Sequence, residues 1–161
     1  MAKLFIDTSF IIPIFKRNDT NREIVQKNKN ILLENECFIS NGVLQEVITV
    51  IMKKTKNIEL TKKAYYFLVD NFTILNEQDI ERYNDRVFSI FKKYNVNTYK
   101  ASYIDCSSVV IAKQFNLDYV VSLDKFFEKF EEIVITKLCE TLSLSKERFI
   151  FIPGNHDTAT R

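Results

Sequence analysis

The stretch KLFIDTSF, residues 3–10, runs from a short apolar segment into an acid and two hydroxyl residues. A short apolar run that ends at polar residues is typical of a strand buried in a parallel sheet that is covered on both faces. Asp7 follows this run directly, so we expect it at the carboxyl edge of the sheet, where open α/β folds bind their ligands. The stretch therefore predicts a parallel α/β core with a functional group at its edge.

Three further stretches are predicted to be strands. DYVVSLD, residues 118–124, repeats the opening pattern of an apolar run followed by polar residues and an acid. Shorter candidates are CFIS at 37–40 and FTILN at 72–76. Strands that alternate with helices are typical of a doubly wound domain. The predicted fold class is therefore α/β, a three-layer α/β/α sandwich around a mostly parallel central sheet.

Apolar residues at helical spacing indicate helices between these strands. The first of them is expected to be a short helix or turn region interrupted by Pro13. Thr20 or Asn21 is a candidate cap for the second, and Asn41 for the third. The six segments are 9–19, 20–36, 42–55, 60–72, 77–94 and 102–116.

Length and composition describe an ordinary globular domain. The chain has 161 residues, 46% hydrophobic and 27% charged, which is enough for one domain to bury a sizeable core. It has two glycines and neither a GxGxxG nor a GKS/GKT sequence, which argues against nucleotide-binding loops of those kinds. A net charge of +2 does not by itself indicate nucleic-acid binding, although Lys53, Lys54 and Lys56 could meet phosphates.

The cysteines and the N-terminal sequence indicate the cellular compartment in which the protein is expected. Cys37, Cys106 and Cys139 are odd in number and lack CxxC spacing, so the sequence indicates neither a disulfide framework nor a zinc site. We recognise no signal peptide ahead of the first strand, and no apolar run approaches the ~18 residues of a membrane span. We therefore expect a cytoplasmic protein without a membrane partner.

Four acids are expected to approach one another at the carboxyl edge of the sheet. Asp7 and Asp124 each follow a predicted strand, and if these strands are parallel both acids lie at the same edge. Asp105 begins the helix ahead of the second strand, so the start of that helix faces this edge too. Glu46 lies in the middle of an apolar helix, where a charged side chain is unusual unless it is paired or functional.

Clustered carboxylates without a neighbouring lysine or arginine repel one another, so a partly buried cluster must take up protons or cations. Mg²⁺ or Mn²⁺ suits such a set, since these ions prefer oxygen ligands and keep waters that meet a phosphate. Taken singly, each acid has a simpler interpretation as a helix cap or a surface charge, and Asp105 and Asp124 both precede helical segments. The joint placement of the four acids favours the metal site.

Three stretches resemble the PIN-domain family of metal-dependent nucleases, and within it the compact VapC-like toxins. They are LFIDTSFII at 4–12, SNGVLQEVITVI at 40–51 and ASYIDCSSVVIAKQFNLDYVVSLDKFF at 101–127. The resemblance extends from residue 3 to about residue 135, so we assign 1–135 to a PIN-like nuclease domain. Residues 136–161 are expected to form an extension packed on the same domain, with a helix and a terminal strand at RFIFIP.

The resemblance gives each of the four acids a place. In the family an aspartate ends the first strand, a glutamate lies on an early helix, an aspartate begins a later helix ahead of an alanine, and another aspartate follows the next strand. These places are taken, in order, by Asp7, Glu46, Asp105 with Ala112, and Asp124. Family members often carry a second acid two residues after the last aspartate, where this chain has Phe126. A weaker second metal site is one consequence of that departure.

The resemblance implies hydrolysis of RNA phosphodiester bonds with Mg²⁺ or Mn²⁺ as cofactor. A metal held by the four acids would acidify a water molecule, orient it in line with the phosphorus and neutralise charge on the leaving oxygen. Asp7 and Asp105 are the first choice as direct ligands and Asp124 is the next. Glu46 is either a ligand or the group that positions water.

Other residues and partners follow from the same resemblance. Ser9 and Ser122 are candidates for hydrogen bonds to the acids or for phosphate contacts, while helix capping and strand-end hydrogen bonding are their simpler roles. The basic side chains of Lys53, Lys54 and Lys100 are candidates for the RNA-facing surface. The expected partners are a tRNA or another structured or single-stranded RNA, a second copy of the chain in a homodimer, and an antitoxin protein.

Two other interpretations stay open. One is an RNA-binding or RNA-processing module that keeps the fold with weak or no catalysis, although such a module has no reason to tolerate clustered carboxylates. The other is an aspartyl-phosphate protein with Asp7 as nucleophile. Haloacid-type phosphatases place a second aspartate two residues after the first, and Ser9 stands there. Cleavage of RNA, binding without cleavage, or action on small acyl phosphates would separate the three.

Overall fold

Five strands form one sheet in the computed structural model, which describes residues 1–129 and 150–153 of the chain. No helix within these residues is both long and apolar enough to cross a bilayer. Two short 3-10 helices cover Glu77–Asp79 and Lys125–Lys129. The strands and α-helices are β1 (Lys3–Ile6), α1 (Thr8–Phe15), α2 (Arg22–Asn28), α3 (Ile31–Glu34), β2 (Glu36–Ser40), α4 (Asn41–Thr55), α5 (Ile58–Asn71), β3 (Thr73–Leu75), α6 (Tyr83–Tyr94), α7 (Tyr103–Gln114), β4 (Tyr119–Ser122) and β5 (Ile150–Pro153).

The sheet has β1 at its centre and the strand order β3-β2-β1-β4-β5. Strands β1 to β4 run parallel, and β5 pairs antiparallel with β4. Leu4, Phe5 and Ile6 are wholly buried, as expected for a strand that helices cover on both faces. The predicted α/β class and mostly parallel sheet are confirmed. Because four strands are parallel, the residues that follow β1 and β4 meet at one edge.

The C-terminal extension contributes the last strand. The terminal strand expected at RFIFIP is observed as β5, and its partner is the strand that precedes Asp124. The helix expected in the extension, together with Cys139, lies outside the described residues.

The first helix differs from the prediction at Pro13. Helix α1 continues for two residues beyond the proline instead of being interrupted by it. A proline here removes the hydrogen bond to the Ser9 carbonyl, four residues earlier, at a cost of about 3 kcal/mol. Phe10, Ile11 and Ile12 are buried on the same helix. Burial of large apolar side chains, at about 1.5–3 kcal/mol each, offsets that cost.

The segment predicted as one helix at 20–36 forms two helices, α2 and α3. Asn21 precedes α2, but its side chain makes no capping hydrogen bond. The break falls between Asn28 and Ile31. There the Asn28 amide donates to the Ile24 carbonyl at 2.8 Å. An asparagine side chain can thus satisfy a carbonyl at a helix end, which stabilises the early stop.

Helix α4 is capped by Ser40, whereas the sequence favoured Asn41. Ser40 has an extended backbone and its Oγ accepts the Val43 N–H at 3.1 Å, while Asn41 is the first helical residue. A second free N–H of this helix end, that of Gly42, donates to Glu77 Oε1 at 2.8 Å. The start of α4 is therefore fixed partly by a carboxylate from a distant part of the chain.

The helix predicted over 77–94 begins later than expected. Its first residues form the 3-10 helix that carries Glu77, which is buried against the start of α4. Arg82 then adopts a left-handed backbone conformation with φ of 53°, and α6 starts at the next residue. A left-handed residue cannot continue a right-handed helix, so the two segments stay separate.

Helix α7 packs closely into the core through its small residues. Every residue from Cys106 to Ala112 is buried. The hydroxyls of Ser107 and Ser108 donate to the Ile104 carbonyl at 2.8 and 3.0 Å, so both are satisfied without water. The start of this tightly held helix faces the carboxyl edge of the sheet, and it carries Asp105.

Candidate active site

A cavity of about 310 Å³ lies at the carboxyl edge of the sheet, where the sequence predicted the acids. All four predicted acids line it, with three hydroxyl residues and two aromatic residues. Among the residues that the structure describes, no lysine, arginine or histidine lines it. These residues, referred to below as the acid cavity, are Asp7, Thr8, Ser9, Glu46, Tyr99, Ser102, Asp105, Asp124 and Phe126.

The Asp7 carboxylate is held through one of its oxygens. Asp7 caps α1, and its Oδ2 accepts the Ser9 N–H at 3.2 Å, the Ser9 hydroxyl at 2.6 Å and the Ser122 hydroxyl at 2.8 Å. Each serine oxygen in turn accepts a backbone N–H, from Leu123 at Ser9 and from Asp124 at Ser122. A hydroxyl has one proton to donate, and the two serine oxygens lie 3.0 Å from each other as well as within hydrogen-bond distance of Asp7 Oδ2.

Burial raises the pKa of Asp7, which is 3% exposed, above its ordinary value. The hydrogen bonds from Ser9 and Ser122 act in the opposite direction, because they stabilise the ionised form. The charge of Glu46 adds to the increase. A negative Asp7 is therefore costly in the folded chain unless positive charge is brought to it.

Asp105 is held at the start of α7 by a reciprocal pair of hydrogen bonds. Ser102 is the cap of the helix and its hydroxyl accepts the Asp105 N–H at 3.0 Å, while Asp105 Oδ2 accepts the Ser102 N–H at 2.8 Å. The simpler interpretation of Asp105 as the N-cap is thus wrong, since it is the third helical residue of a capping box. Burial, followed by the charges of Asp7 and Asp124, raises the pKa of Asp105 to about 6.

Glu46 reaches the cavity from the first half of α4. The Thr8 hydroxyl donates to Glu46 Oε2 at 2.6 Å, which joins the start of α1 to α4. The side chain is only partly buried. Within the described part of the chain, this acid is accounted for by a hydroxyl partner and an open cavity, and no ion pair involves it.

Asp124 lies two residues beyond β4. Its Oδ1 accepts the Phe126 N–H at 2.9 Å and its backbone N–H donates to Ser122. Asp124 therefore caps the 3-10 helix that follows, as its simpler interpretation expected, and lines the cavity as well. Phe126, which replaces the second acid of the resemblance, is a half-buried part of the cavity wall.

The four carboxylates share an arrangement that suits a hard cation. In the described residues, the hydrogen bonds to each carboxylate go to one of its two oxygens. Such preorganised oxygen donors, around a cavity whose described lining residues include no basic side chain, match the preference of Mg²⁺ and Mn²⁺. The held atoms are Asp7 Oδ2, Glu46 Oε2, Asp105 Oδ2 and Asp124 Oδ1.

The acid cavity is nevertheless not a closed cage. Over residues 1–129 and 150–153, no three acidic, cysteine or histidine side chains are placed so that they could hold one ion among themselves. Mg²⁺ keeps several waters and is usually bound by one or two carboxylates together with substrate phosphates. The residues therefore fit this ion by their chemistry and their shared cavity, with room for water and phosphate.

The candidate basic residues lie at two different places. Lys100 is exposed and directly follows Tyr99 of the acid cavity. Lys54 lies eight residues beyond Glu46 on α4, about 12 Å along the helix axis. It lines a separate cavity of about 630 Å³ to which Lys16, Arg17 and Lys63 also contribute. Lys53 is exposed beside it. Two of the candidates thus belong to a basic surface beyond the acids.

Sequence reasoning missed three residues of the acid cavity as site residues. Thr8 directly follows Asp7, but nothing local indicates that it binds Glu46. Ser102 was open to detection, because a serine three residues ahead of an acid at a helix start is the pattern of a capping box. Tyr99 lies in a loop without a motif, and only the folded chain brings it to the acids.

Comparison with known proteins identifies the family of this chain and solved structures with a similar fold. A family model for the PIN domain matches residues 4–133. The fold is similar to that of the Mycobacterium tuberculosis toxin VapC20, which cleaves the sarcin-ricin loop, with 14% identity, a TM-score of 0.64, and 78% of this chain and 94% of that chain covered. It is also similar to VapBC2 from Rickettsia felis bound to promoter DNA, with 13% identity, a TM-score of 0.58, and 80% and 92% covered. No curated protein matches the chain.

Proposed function

The chain belongs to the PIN-domain family, and from this membership we propose that it is a divalent-metal-dependent endoribonuclease that hydrolyses phosphodiester bonds in RNA. The observation that carries the proposal is the acid cavity, in which four carboxylates line one space and none of the other described lining residues is basic. Burial and the neighbouring charges raise the pKa of Asp105 to about 6. Burial and mutual repulsion both disfavour the ionised form of these carboxylates. A cation bound among them would stabilise that form.

The residues of the cavity have different roles in this proposal. Asp7 and Asp105 are proposed as direct ligands of Mg²⁺ or Mn²⁺, with Asp124 next. When bound, the ion supplies Lewis-acid chemistry, polarising the phosphodiester and acidifying water. Glu46, held by Thr8, is either a further ligand or the group that orients a water. Both roles need an ionised carboxylate kept in place before the substrate arrives.

Ser9 and Ser122 act through Asp7 in this proposal. Their hydroxyl protons stabilise the ionised form of a buried carboxylate and fix its orientation. The second Asp7 oxygen is then presented to the ion in a single position. Loss of either hydroxyl would leave Asp7 in place but lower its affinity for a cation.

We also propose that the chain is the toxin of a toxin–antitoxin pair, active as a homodimer in the cytoplasm. The likeness to VapC20, a toxin, and to VapBC2 supports this proposal. The antitoxin would be a separate protein that covers or enters the acid cavity. The RNA is a tRNA or another structured or single-stranded RNA.

The test is cleavage of a mixed pool of tRNA and single-stranded RNA by the purified chain in Mg²⁺ or Mn²⁺. EDTA and the Asp7→Asn variant are expected to abolish cutting, whereas Asp70→Asn, a change at an exposed acid on α5, should leave it unchanged. Cutting that survives EDTA would reject metal dependence. RNA binding by a folded chain that cuts nothing would favour a non-catalytic module instead.

A further inference from the structure

Tyr99 is an exposed aromatic residue on the wall of the acid cavity. It lines the cavity beside Ser102 and Asp105, yet it is 72% exposed to solvent. An aromatic ring left in water contributes little to folding, because apolar side chains stabilise a fold through the area they bury. A ligand that covers the ring accounts for this position better than packing does.

The loop that carries Tyr99 is closed at its base by one side chain. The Asn95 amide donates to the carbonyls of Phe91 and Ala101 at 2.9 and 3.0 Å. Its oxygen accepts the N–H groups of Lys100 and Ala101 at 2.6 and 3.2 Å. All four hydrogen-bonding positions of the amide are used. Tyr99 is therefore presented next to a fixed junction, which lowers the entropy cost of placing it against a ligand.

A nucleic acid needs contacts other than the acids to bind here. The four carboxylates repel its phosphates, so affinity has to come partly from groups around the cavity. Lys100 is exposed and adjacent to Tyr99, where it can meet a phosphate. The ring of Tyr99 offers a flat apolar face to a base, and bases of single-stranded RNA stack on such rings with little regard for sequence.

We propose that Tyr99 stacks on an unpaired base next to the phosphate that lies at the acid cavity, and thereby selects RNA that is single-stranded at the cleavage site. This inference rests on the proposed function, since it takes RNA as the ligand. A base within a duplex is stacked on its neighbours and cannot offer its face to the ring without being extruded. The contact therefore discriminates between unpaired and paired RNA rather than between bases.

The chain has no tryptophan, so a Tyr99→Trp variant carries a single fluorescent indole at the proposed contact. The experiment adds Asp7→Asn to prevent cleavage and titrates the protein with a short single-stranded RNA of mixed sequence. Fluorescence anisotropy of a dye on the RNA reports binding independently. We expect saturable quenching of the indole at the same RNA concentrations that give binding, and weaker binding with less quenching for the same strand annealed to its complement.

The matched control is Leu33→Trp in the same Asp7→Asn background. Leu33 is 81% exposed on α3, which precedes β2 and so lies at the amino edge of the sheet, away from the acids. Its indole should not respond to RNA. Equal quenching at both positions would mean that the signal is not a local contact and would overturn the proposal.

The remaining outcomes separate this inference from the proposed function. RNA that binds without quenching Tyr99→Trp, or duplex RNA that quenches as strongly as the single strand, overturns stacking while the nuclease proposal stands. Quenching with a wild-type chain that cuts nothing supports stacking and rejects catalysis. A chain that binds no RNA in any form overturns stacking as well.

A second pair of variants tests the contact in the active chain. Tyr99→Ala should raise the KM for single-stranded RNA by about 5- to 100-fold, with a smaller effect on kcat. Tyr99→Phe keeps the ring and should stay within about twofold of the wild type, since stacking needs the ring face rather than the hydroxyl. A Phe variant as impaired as the Ala variant would contradict stacking and point to the hydroxyl.

Discussion

Ser122 Oγ lies 2.8 Å from Asp7 Oδ2 although 115 positions separate the two residues in the chain. The contact exists because β4 lies beside β1 in parallel register, with Ile6 opposite Val121. The Asp7 N–H continues the ladder to the Val121 carbonyl at 3.0 Å. The pairing of β1 with β4 thus places the Ser122 hydroxyl beside Asp7, since each residue directly follows the last position at which these two strands pair.

Ser122→Ala should slow cleavage by about 10- to 150-fold at neutral pH, because a hydrogen bond to a charged group contributes about 1.5–3 kcal/mol. Without this donor the pKa of Asp7 rises further, since the hydroxyl lowers it in the wild type. The acid side of the pH–rate profile should therefore move to higher pH. Ser89→Ala, at an exposed serine of α6, is the control and should leave both rate and profile unchanged.

Asp105→Asn should make the metal-free chain more stable at pH 7 to 8. The pKa of Asp105 rises from its ordinary value of 3.8 to about 6 on folding, so the folded chain binds this proton more tightly. The wild type therefore loses stability as pH rises from about 4 to about 6, and the loss persists above that range. It amounts to at most about 3 kcal/mol, and to less where solvent reaches the side chain.

Thermal unfolding in EDTA across pH 4 to 8 measures this effect. The Asn variant should show a flatter pH dependence and a higher Tm than the wild type at pH 7. Asp70→Asn, at an exposed position, should follow the wild type. An Asp105→Asn chain that is less stable at pH 7 would show that the carboxylate is stabilising there, contrary to the electrostatic argument.

Mg²⁺ or Mn²⁺ should raise the Tm of the wild-type chain, because a ligand that binds the folded state alone stabilises it, by about 2.7 kcal/mol at a hundredfold excess over Kd. Asp7→Asn and Asp105→Asn should lose most of this shift, since both acids are proposed ligands. Differential scanning fluorimetry in buffers of equal ionic strength measures it. An equal shift in wild type and both variants would place the ion elsewhere.

Thr8→Val should lower kcat by about 10-fold with little change in KM, because it removes the hydroxyl that holds Glu46 and leaves a side chain of nearly the same shape. Thr8→Ser keeps the donor and should retain most of the activity. Steady-state kinetics on one RNA substrate compares the two. If Val and Ser variants behave alike, the position of Glu46 does not depend on this hydrogen bond.

Lys54→Ala combined with Lys63→Ala should weaken RNA binding uniformly across sequences, since both residues line the basic cavity beyond the acids. For a single strand, each lysine–phosphate interaction that is removed should reduce the slope of log K against log salt by about 0.7, so the double variant should reduce it by about 1.4. Binding measured over a series of salt concentrations tests this. Lys29→Ala, near the amino edge of the sheet, should leave the slope unchanged.

Much of the fold was predictable because its signals are local. The apolar runs that form β1 and β4, and the polar residues that end them, act over a few positions, and they led to the parallel sheet and to the acids at its edge. Some of the errors reflect interactions that the local sequence does not show. Pro13 is tolerated because burial of its neighbours offsets the missing hydrogen bond. The cap of α4 is Ser40 rather than Asn41, and the N–H of Gly42 at the same helix end binds Glu77, which lies 35 positions further along the chain.

The identity and order of the four acids follow from the sequence alone, through motif spacing and the rule that parallel strands share a carboxyl edge. Which oxygen of each acid is held, and by what, was decided only by the tertiary structure. Thr8 finds Glu46 across 38 positions and Ser122 finds Asp7 across 115. The pKa of Asp105 likewise depends on burial and on charges that meet only in the folded chain. Hydrogen bonds and electrostatic fields depend on distance in space, and chain position sets that distance only for near neighbours.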